Sequence, residues 1–312
     1  MKKALVLGAS GAMGYAITKE LCNQGIDVVT FARNRKRLEN LFCEEENIQI
    51  VAGDIFKQAD VMNAAKDVDV IFHAVNIPYT DWEIKQPKLL QNILDVTKHY
   101  GVKLAIVDNI YAYGRQNREK ITEEAEKNPH TKKGKIRLNL ELMVKQAGVS
   151  VLIAHFPDFY GPNAESTLIH HTLQNVLSNK ASSFVGDKGL AREYIYTPDG
   201  AKAIVKLALR DDAYGQNWNV PGCGLITGEE MIQHIRGLTG YTKSVMTVKK
   251  GMIRLIGLFD KQMKEFVEML YLTEEPVVLS GEKYERYIGE VPKTSYYNGL
   301  KETILHMKRN GM

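Results

Sequence analysis

Short apolar runs alternate with longer helical patterns over the first half of the chain. Because the apolar runs are almost continuous rather than alternating, they predict strands buried on both faces of a parallel sheet. The predicted strands are residues 4–7, 27–31, 48–52, 68–74, 103–107 and 150–156. The predicted helices are residues 11–23, 34–42, 58–66, 87–100 and 132–147. This order predicts an α/β fold with a doubly wound parallel sheet and right-handed crossovers.

The pattern loosens after about residue 160, where turn-forming pairs such as Gly161-Pro162 and Pro221-Gly222 cluster. Helices are predicted there at residues 167–178, 199–209, 228–238 and 252–271, and short strands at 194–196, 218–220 and 245–248. We therefore expect a larger sheet domain over residues 1–160. A smaller C-terminal α/β cap is expected over residues 161–312, partly interleaved with the sheet domain.

Composition excludes several classes of protein. The chain has 312 residues, 44% hydrophobic and 25% charged, which excludes collagen-like, disordered and disulfide-scaffold proteins. Charges of both signs are mixed along the chain, the net charge is +4, and no apolar run approaches the roughly 18 residues of a membrane helix. We expect neither nucleic acid nor a membrane as partner. Three widely spaced cysteines without a Cys/His cluster predict no metal site and a reducing, cytoplasmic location.

The most informative segment is a glycine-rich turn after the first predicted strand. Gly8 permits the sharp turn, Gly11 lets the backbone approach a pyrophosphate, and Gly14 allows close helix–strand packing. The N–H groups and dipole at the following helix start would hold the anion. The spacing GxxGxxG is a variant fingerprint that predicts a dinucleotide-binding Rossmann domain over residues 1–160. The predicted contacts are Gly8, Ser10, Gly11, Ala12, Met13 and Gly14.

Basic residues follow the second predicted strand, where an NAD-binding protein often has an acidic residue for the ribose. The sequence there is Arg33-Asn-Arg-Lys-Arg37. Cations at a helix start oppose the helix dipole unless an anion lies nearby, and a 2′-phosphate held by arginine would supply one. We therefore predict NADP(H) as the cofactor, with NAD as the alternative, bound by Arg33 and secondarily by Arg37. A solvated basic helix face is the other interpretation.

Five further motifs accompany the glycine turn. They are Gly53-Asp54-Ile55, Phe72-His73-Ala74-Val75, and the segments at residues 107–114, 156–162 and 192–199. With them the chain resembles the extended or atypical short-chain dehydrogenase/reductase superfamily, in its NAD-dependent epimerase/dehydratase group. The resemblance implies that the adenine of the cofactor lies near Asp54 and Ile55. The contacts implied along the rest of the cofactor are Ala74, Val75, Asn76, Pro157 and Asp158.

The chemistry of this family usually rests on a serine, a tyrosine and a lysine, and this chain departs from the pattern at all three positions. They fall on Asn109, Lys133 and Arg137 respectively. Asn109 can hydrogen-bond a carbonyl oxygen, and Arg137 can hold ribose hydroxyls. Lys133 can donate a proton if neighbouring cations lower its pKa; the alternative is a solvated helix face.

Tyrosines are the other candidate proton donors, because a phenol can act as acid or base. Tyr113 resembles the structural tyrosine that precedes glycine in the family, whereas Tyr111 is less constrained by that pattern. Tyr160 is a further candidate. By the same resemblance, Tyr160 and Arg192 are candidate substrate contacts.

These features predict an NAD(P)-dependent oxidoreductase or epimerase-like enzyme that transfers hydride to or from a small carbonyl or alcohol substrate, with a sugar-type substrate as one option. The alternative is an NADP(H)-binding sensor or regulatory protein that has lost catalysis. We expect a monomer or homodimer. The apolar run at residues 252–270 is expected to be a packing helix, with a dimer contact as the alternative.

Overall fold

The computed structural model describes residues 1–311. Its strands are β1 (Lys3–Leu7), β2 (Asp27–Ala32), β3 (Ile48–Ala52), β4 (Val70–His73), β5 (Lys103–Asn109), β6 (Val151–Phe156), β7 (Asp158–Tyr160), β8 (Ser182–Val185), β9 (Ala191–Tyr196), β10 (Asn217–Asn219), β11 (Leu225–Thr227) and β12 (Val245–Val248). Its α-helices are α1 (Ala12–Asn23), α2 (Arg35–Phe42), α3 (Gln58–Ala64), α4 (Trp82–Tyr100), α5 (Lys132–Gln146), α6 (Leu168–Leu177), α7 (Thr197–Ala208), α8 (Gly228–Thr239), α9 (Lys250–Ile256), α10 (Lys261–Phe266), α11 (Glu282–Tyr287) and α12 (Tyr296–Arg309). Short 3-10 helices cover Tyr79–Asp81, Ile110–Tyr113, Asp211–Ala213 and Val267–Thr273.

Seven strands form the central sheet in the order β10-β6-β5-β4-β1-β2-β3. Every neighbouring pair is parallel. The strand order reverses between β1 and β4, which is the topological switch point of a doubly wound sheet. The predicted Rossmann-type α/β fold is thus confirmed. The outermost strand, β10, comes from far along the chain and lies beside β6.

Helices cover both faces of this sheet, which explains why its strands are apolar almost throughout. On one face, α1, α2 and α7 bury side chains such as Ile17 and Ile204 against the strands. On the other face, α3, α4 and α5 bury side chains such as Leu89 and Leu140. Two separate apolar cores therefore sandwich the sheet and hold the strand ends in fixed positions.

A third core lies outside the central sheet, in the C-terminal part of the chain. Two small sheets occur there, with the orders β11-β9-β7 and β12-β8. Side chains such as Phe184, Tyr194 and Leu300 fill the space between them, α6, α8 and α12. Strand β7 directly follows the last residues of β6, so this second core is attached at the carboxyl end of the central sheet.

The C-terminal part also contains the main differences from the sequence predictions. The run at residues 252–271 is not one helix: α9 ends before Gly257, Asp260 caps α10, and a 3-10 helix follows. Gly257 lies against the backbone of Lys264, so the chain folds back on itself. The sequence did not predict strands β7, β8 and β11 or helices α11 and α12. Strands of three or four residues are too short to show an alternating pattern, and the starts of the two helices lack a strong apolar periodicity.

Helix α4 begins at Trp82, five residues earlier than the prediction that Pro87 starts it. The buried Trp82 side chain donates its Nε1–H to the carbonyl of Ile77 at 2.9 Å, which fixes the first turn. Tertiary packing therefore outweighs the usual preference of proline for the first helical position. Within residues 1–311, no helix combines the length and the apolar composition that crossing a membrane requires.

Gly14→Ala is expected to lower the free energy of unfolding by about 3 kcal/mol, because the new Cβ overpacks the contact between α1 and the turn. A Cβ there would lie 2.1 Å from the backbone oxygen of Gly8. Urea unfolding at pH 7 measures the loss.

Gly237→Ala in α8 is the matched control, since no atom lies within 4 Å of a Cβ at that position. It is expected to raise stability by about 1 kcal/mol through helix propensity. Equal unfolding midpoints for the two variants would contradict the close-packing account.

Candidate functional site

The glycine turn lies at the switch point of the sheet, beside the end of β4. Gly8 has a φ of +83°, and a Cβ on it would lie 2.8 Å from the carbonyl oxygen of Ala74. A side chain is therefore excluded twice, by conformation and by space. Ala74 and Val75, two predicted cofactor contacts, are thus next to the turn. Open α/β sheets bind ligands in the crevice at this point.

Helix α1 starts without a side-chain cap. Gly11 is the N-cap residue, and within residues 1–311 no side chain accepts from the first N–H groups of the helix. The turn is held from outside instead, since the Asn163 amide donates to the carbonyl of Ser10 at 3.1 Å. Uncapped N–H groups at the positive end of a helix dipole suit a pyrophosphate, and the residues present therefore fit a dinucleotide.

The two arginines predicted for the 2′-phosphate differ in their surroundings. Arg37 forms an ion pair with Glu165 at 2.8 Å and also contacts Asn163 at 3.4 Å. Arg33 lies directly after β2, is exposed, and has no ion pair with any residue from 1 to 311. Asn34 caps α2 by accepting from the N–H of Arg37. Of the two, Arg33 is the cation without a protein partner.

Asp54 and Ile55 follow β3 at the far edge of this crevice. An oxygen of Asp54 accepts from the N–H of Phe56 at 3.0 Å, which stabilises the turn that leaves the strand. The carbonyl of Ile55 accepts from the Asn92 amide at 3.1 Å, and the Ile55 side chain is buried. Helix α4 therefore fixes the position of this turn.

An aromatic cluster stands at the carboxyl ends of β4 and β5. The hydroxyls of Tyr79 and Tyr111 are 2.6 Å apart, and the Trp82 ring lies 6.1 Å from that of Tyr111. Burial is the largest cause that raises the pKa of both phenols, that of Tyr79 to about 12 and that of Tyr111 well above its usual value. Both side chains are therefore protonated at neutral pH, and either can donate a proton.

Asn109 ends β5 immediately before the 3-10 helix that carries Tyr111. Its side-chain oxygen accepts from the N–H of Tyr111 at 3.0 Å, so it caps that turn. The Asn109 side chain therefore orients Tyr111, and its amide nitrogen has no hydrogen bond to residues 1–311.

Arg137 projects from α5 into the same cluster. Its guanidinium lies 4.4 Å from the centre of the Trp82 ring and 3.4 Å from the carboxylate of Asp108. The Nε–H is buried and has no acceptor among the residues described. A buried donor without an acceptor is costly unless a ligand supplies one. The ribose that the family resemblance implies would be such a ligand.

Lys133 is buried, so the alternative of a solvated helix face is wrong for this residue. Its ammonium contacts the carboxylates of Glu265 and Glu268, the latter at 3.1 Å. Glu268 also accepts from the backbone N–H groups of Lys132 and Lys133, at 2.8 and 3.1 Å. Both carboxylates stabilise the charged ammonium, and Glu268 also caps the start of α5. The prediction that nearby cations would promote proton release from Lys133 did not include Glu265 and Glu268.

Asp158 lies at the start of β7, beyond the end of β6. Burial raises the pKa of its carboxyl, and the positive charge of Arg192 lowers it in part. Its negative charge in turn raises the pKa values of Tyr79 and Tyr111, which keeps those phenols protonated. Asp158 is thus electrostatically coupled both to the aromatic cluster and to Arg192.

The two predicted substrate contacts are both buried. Tyr160 packs against the rings of Tyr196 and Tyr296 at 5.6 and 5.7 Å, inside the third core. Arg192 donates to the carbonyl of Val185 at 3.0 Å. Both side chains therefore lie inside the C-terminal part rather than on an open surface.

Behind the aromatic cluster, α5 is fixed by a buried charged network. Glu141 contacts the ammonium of Lys127 and accepts from the Asn217 amide at 2.8 Å. Although burial opposes it, the nearby imidazole of His155 and the charge of Lys127 hold the pKa of Glu141 well below its usual value. Tyr113 is buried beside this network and donates to Asn219 at 2.8 Å. The network holds α5 against β6 and β10.

The sequence motifs do not point to Tyr79, Trp82, Glu265, Phe266 or Glu268. The first two lie between the strand predicted at 68–74 and the helix predicted at 87–100, where no element is predicted. The other three come from α10 and the following 3-10 helix, and Phe266 stacks on Tyr79 with ring centres 6.3 Å apart. No local pattern links positions more than 130 residues apart in the chain.

In residues 1–311 there is no group of three or more His, Cys, Asp or Glu side chains that could hold a metal ion.

The sheet order, the uncapped glycine turn and the residues at the strand ends define an enzyme of the extended short-chain dehydrogenase/reductase type. The model of the NAD dependent epimerase/dehydratase family matches residues 4–220, and the chain belongs to that family. The resemblance inferred from the sequence motifs is thus confirmed.

Individual relatives agree with this family. The chain is 24% identical to a putative UDP-glucose 4-epimerase of Methanocaldococcus jannaschii over 98% of both chains. An epimerase structure from Methanothermobacter thermautotrophicus has a TM-score of 0.83 at 19% identity, covering 99% of this chain and 93% of that one. The dTDP-glucose 4,6-dehydratase of Bacillus anthracis, in complex with NAD, has a TM-score of 0.82 at 20% identity, covering 99% and 97%. At these identities the structural likeness concerns the fold.

Glu268→Ala is expected to lower the free energy of unfolding by about 2 kcal/mol at pH 7, because it removes a cap of α5 and a partner of the buried Lys133. Urea unfolding measures this change. Glu274→Ala is the matched control, since it breaks only an exposed pair with Lys250 at 3.1 Å. That pair is worth about 0.5 kcal/mol or less. Equal losses in the two variants would contradict the capping role of Glu268.

Proposed function

We propose that the protein is an NAD(P)-dependent oxidoreductase or epimerase-like enzyme that transfers hydride to or from the carbon of a small carbonyl or alcohol substrate. When bound, the nicotinamide supplies or accepts the hydride at its C4. The observation that carries the proposal is the position of the Tyr79–Tyr111 hydroxyl pair, 2.6 Å apart, at the strand ends beside the switch point. A pair of phenol hydroxyls at this edge of the sheet supports a proton-donor role for a substrate oxygen bound in the crevice.

Tyr111 takes the role of proton donor in this proposal. Burial raises the pKa of this phenol, which therefore stays protonated until a stronger base is present. The substrate oxygen becomes such a base as it gains negative charge on arrival of the hydride, and the phenol can then donate to it. Tyr79 hydrogen-bonds the same hydroxyl and can replace the proton. Asn109 orients Tyr111 through the N–H of that residue and offers its amide to the substrate oxygen. Lys133 is paired with Glu265 and Glu268 and has no part in the proton transfer of this proposal.

The cofactor site follows the crevice from the glycine turn to the aromatic cluster. The uncapped start of α1 would hold the pyrophosphate, and Arg137 would hold the nicotinamide ribose through its unpaired Nε–H. Asp54 and Ile55 would lie along the adenine. The remaining proposed contacts are Ser10, Ala12, Met13, Ala74, Val75, Asn76, Pro157 and Asp158.

NADP(H) is the proposed cofactor form. The family is described as NAD dependent, and a related dehydratase structure contains NAD. The preference for a 2′-phosphate here rests on Arg33, an exposed cation without an ion pair to residues 1–311, at the end of β2. Arg37 is a weaker candidate because Glu165 already neutralises it.

The substrate is proposed to lie between the strand ends and the C-terminal part, near Asp158 and Arg192. Tyr160 is proposed to shape this side of the site from within its core. Relatives named as a UDP-glucose 4-epimerase and a dTDP-glucose 4,6-dehydratase support a nucleotide sugar as the first substrate class to test. Oligomeric state, monomer or homodimer, stays a prediction.

Purified protein is expected to oxidise NADPH in the presence of one or more members of a panel of aldehydes, ketones, quinones and nucleotide sugars that carry a keto group. With an active substrate, Tyr111→Phe is expected to lower kcat by about 10²- to 10⁴-fold, the usual contribution of a proton donor. Affinity for NADPH should change little, because the hydroxyl does not hold the cofactor.

Tyr113→Phe is the matched control for this experiment. Its hydroxyl donates to the buried Asn219 and lies outside the proposed chemistry, so its loss should affect stability rather than kcat. A Tyr111→Phe enzyme with unchanged kcat would contradict the role of Tyr111.

Arg33→Ala is expected to reduce the preference for NADPH over NADH about tenfold, equivalent to about 1.4 kcal/mol, because it removes the cation proposed to bind the 2′-phosphate. Titration of both cofactors by calorimetry or fluorescence measures the ratio. Arg35→Ala is the matched control, since Arg35 lies on the same helix start and pairs with Glu39 at 3.8 Å. An unchanged ratio in Arg33→Ala would exclude this assignment.

A second candidate function is an NADP(H)-binding sensor without catalysis. It is favoured by one observation, that Lys133 stands at the family's tyrosine position and is held by Glu265 and Glu268. Tight NADPH binding with no turnover across the substrate panel, and with partner binding that depends on the redox state of the cofactor, would favour the sensor over the enzyme.

A further inference from the structure

The segment at residues 249–264 forms a hairpin of two short helices with apolar residues at its tip. Residues 257–260 join helices α9 and α10, with Leu258 and Phe259 at the tip, and Gly257 lies against the backbone of Lys264. Phe259 is 91% exposed and Leu258 74% exposed, the two largest values among the exposed large apolar side chains of residues 1–311. We refer to residues 249–264 as the hairpin.

The apolar surface of the hairpin extends beyond its tip. Leu255 is 63% exposed and Ile256 50% exposed, on the outer side of α9. Ile253, on the inner side, is buried and anchors the helix to the protein. A helix that only covered its own protein would be apolar on the inner side alone. Contiguous exposed apolar residues of this kind mark an interaction site.

The same hairpin has an excess of basic residues. It contains five basic residues and one acidic residue, so its net charge of +4 equals that of the chain, and the remaining residues are neutral overall. The basic residues are Lys249, Lys250, Arg254, Lys261 and Lys264, of which Lys250 is paired with Glu274 outside the hairpin at 3.1 Å. Asp260 is occupied as the cap of α10, where it accepts from the N–H groups of Gln262 and Met263 at 2.7 and 3.1 Å. The expectation of no membrane partner rested on charges mixed along the chain and on the absence of an apolar run long enough to span a membrane.

The backbone at the tip is already hydrogen-bonded within the hairpin. The N–H groups of Leu258, Phe259 and Asp260 donate to carbonyls of α9 at 3.2, 3.0 and 3.0 Å. The main cost of burying a turn in lipid is an unpaired backbone N–H or C=O group. These three N–H donors stay paired when the tip enters an apolar medium.

We propose that the hairpin docks the protein on the surface of an anionic lipid bilayer, with Leu258 and Phe259 inserted and the basic side chains at the headgroups. Apolar residues beside lysines and arginines are the features of segments that lie in a membrane interface. A second copy of this chain fits less well, because two such surfaces face to face would oppose like charges. The proposal is independent of the function proposed for the catalytic site.

The test uses a tryptophan placed at the tip of the full-length protein. Trp82 and Trp218 are buried, so a Phe259→Trp variant adds the one tryptophan that lipid can reach. Its emission is expected to shift to shorter wavelength with vesicles of phosphatidylcholine and phosphatidylglycerol in a 3:1 ratio. The shift should be absent with phosphatidylcholine alone and should decrease in 0.5 M NaCl, because salt screens the attraction. Leu209→Trp, exposed elsewhere, is the control and should not shift.

Vesicle sedimentation then measures the contribution of the apolar tip. Leu258→Ser/Phe259→Ser is expected to lower partitioning into the anionic vesicles at least tenfold. Leu142→Ser/Leu209→Ser, which removes two leucines exposed by 45% and 44%, should leave partitioning unchanged. No emission shift in Phe259→Trp would overturn the proposal. The proposal would also be overturned if the protein bound no vesicles but self-associated, and if the tip variant abolished that self-association. The hairpin would then be a contact between copies of this chain.

Discussion

The fit of helix α1 against the turn that leaves β1 is the constraint on which the rest of the structure depends. No side chain fits between Gly14 and the carbonyl of Gly8, nor between Gly8 and the end of β4. This close packing brings the uncapped start of α1 to the point where the strand order reverses. Because parallel strands present their carboxyl ends at one edge, the turn, the end of β4 and the Asn109–Tyr111 segment meet along one crevice. The uncapped start of α1 and the paired hydroxyls of Tyr79 and Tyr111 therefore lie at the same edge of the sheet.

The proposed site is completed by residues that arrive from the other end of the chain. Glu268 caps α5 and, with Glu265, neutralises the buried Lys133, while Phe266 stacks on Tyr79. A buried lysine would be costly without these carboxylates, so the C-terminal segment stabilises both the helix and the site. The same segment continues back into the basic, apolar-tipped hairpin. Attachment to a lipid surface would therefore act on the part of the chain that covers the proposed catalytic residues.

The fold could be predicted from the sequence largely because its central strands are apolar on both faces and alternate with amphipathic helices. The ends of β3 and β12 and the cap Asn34 were predicted as they occur. The helix predicted at residues 252–271 was wrong, because apolar content alone does not show that Gly257 and Asp260 break it. The extra strands and helices of the C-terminal part depend on tertiary contacts that no local pattern encodes.

For the candidate site, the motifs located the glycine turn, Asn109, Tyr111 and Arg137. They could not show that Lys133 is buried between carboxylates, since the partners lie more than 130 residues away. Nor could they show that Tyr79 pairs with Tyr111, because the two residues are 32 positions apart and no local pattern relates them. Whether a candidate side chain can donate a proton depends on its contacts with distant segments of the chain. Those contacts follow from the fold as a whole and not from the local sequence.

Isothermal titration of the full-length protein with NADPH and with NADH tests the central claim most directly. The account predicts saturable heat for at least one of these nucleotides with one site per chain, and loss of that heat in competition with free ADP-ribose, which shares the pyrophosphate. Absence of measurable binding by either nucleotide at low ionic strength would contradict the claim that the start of α1 holds a dinucleotide.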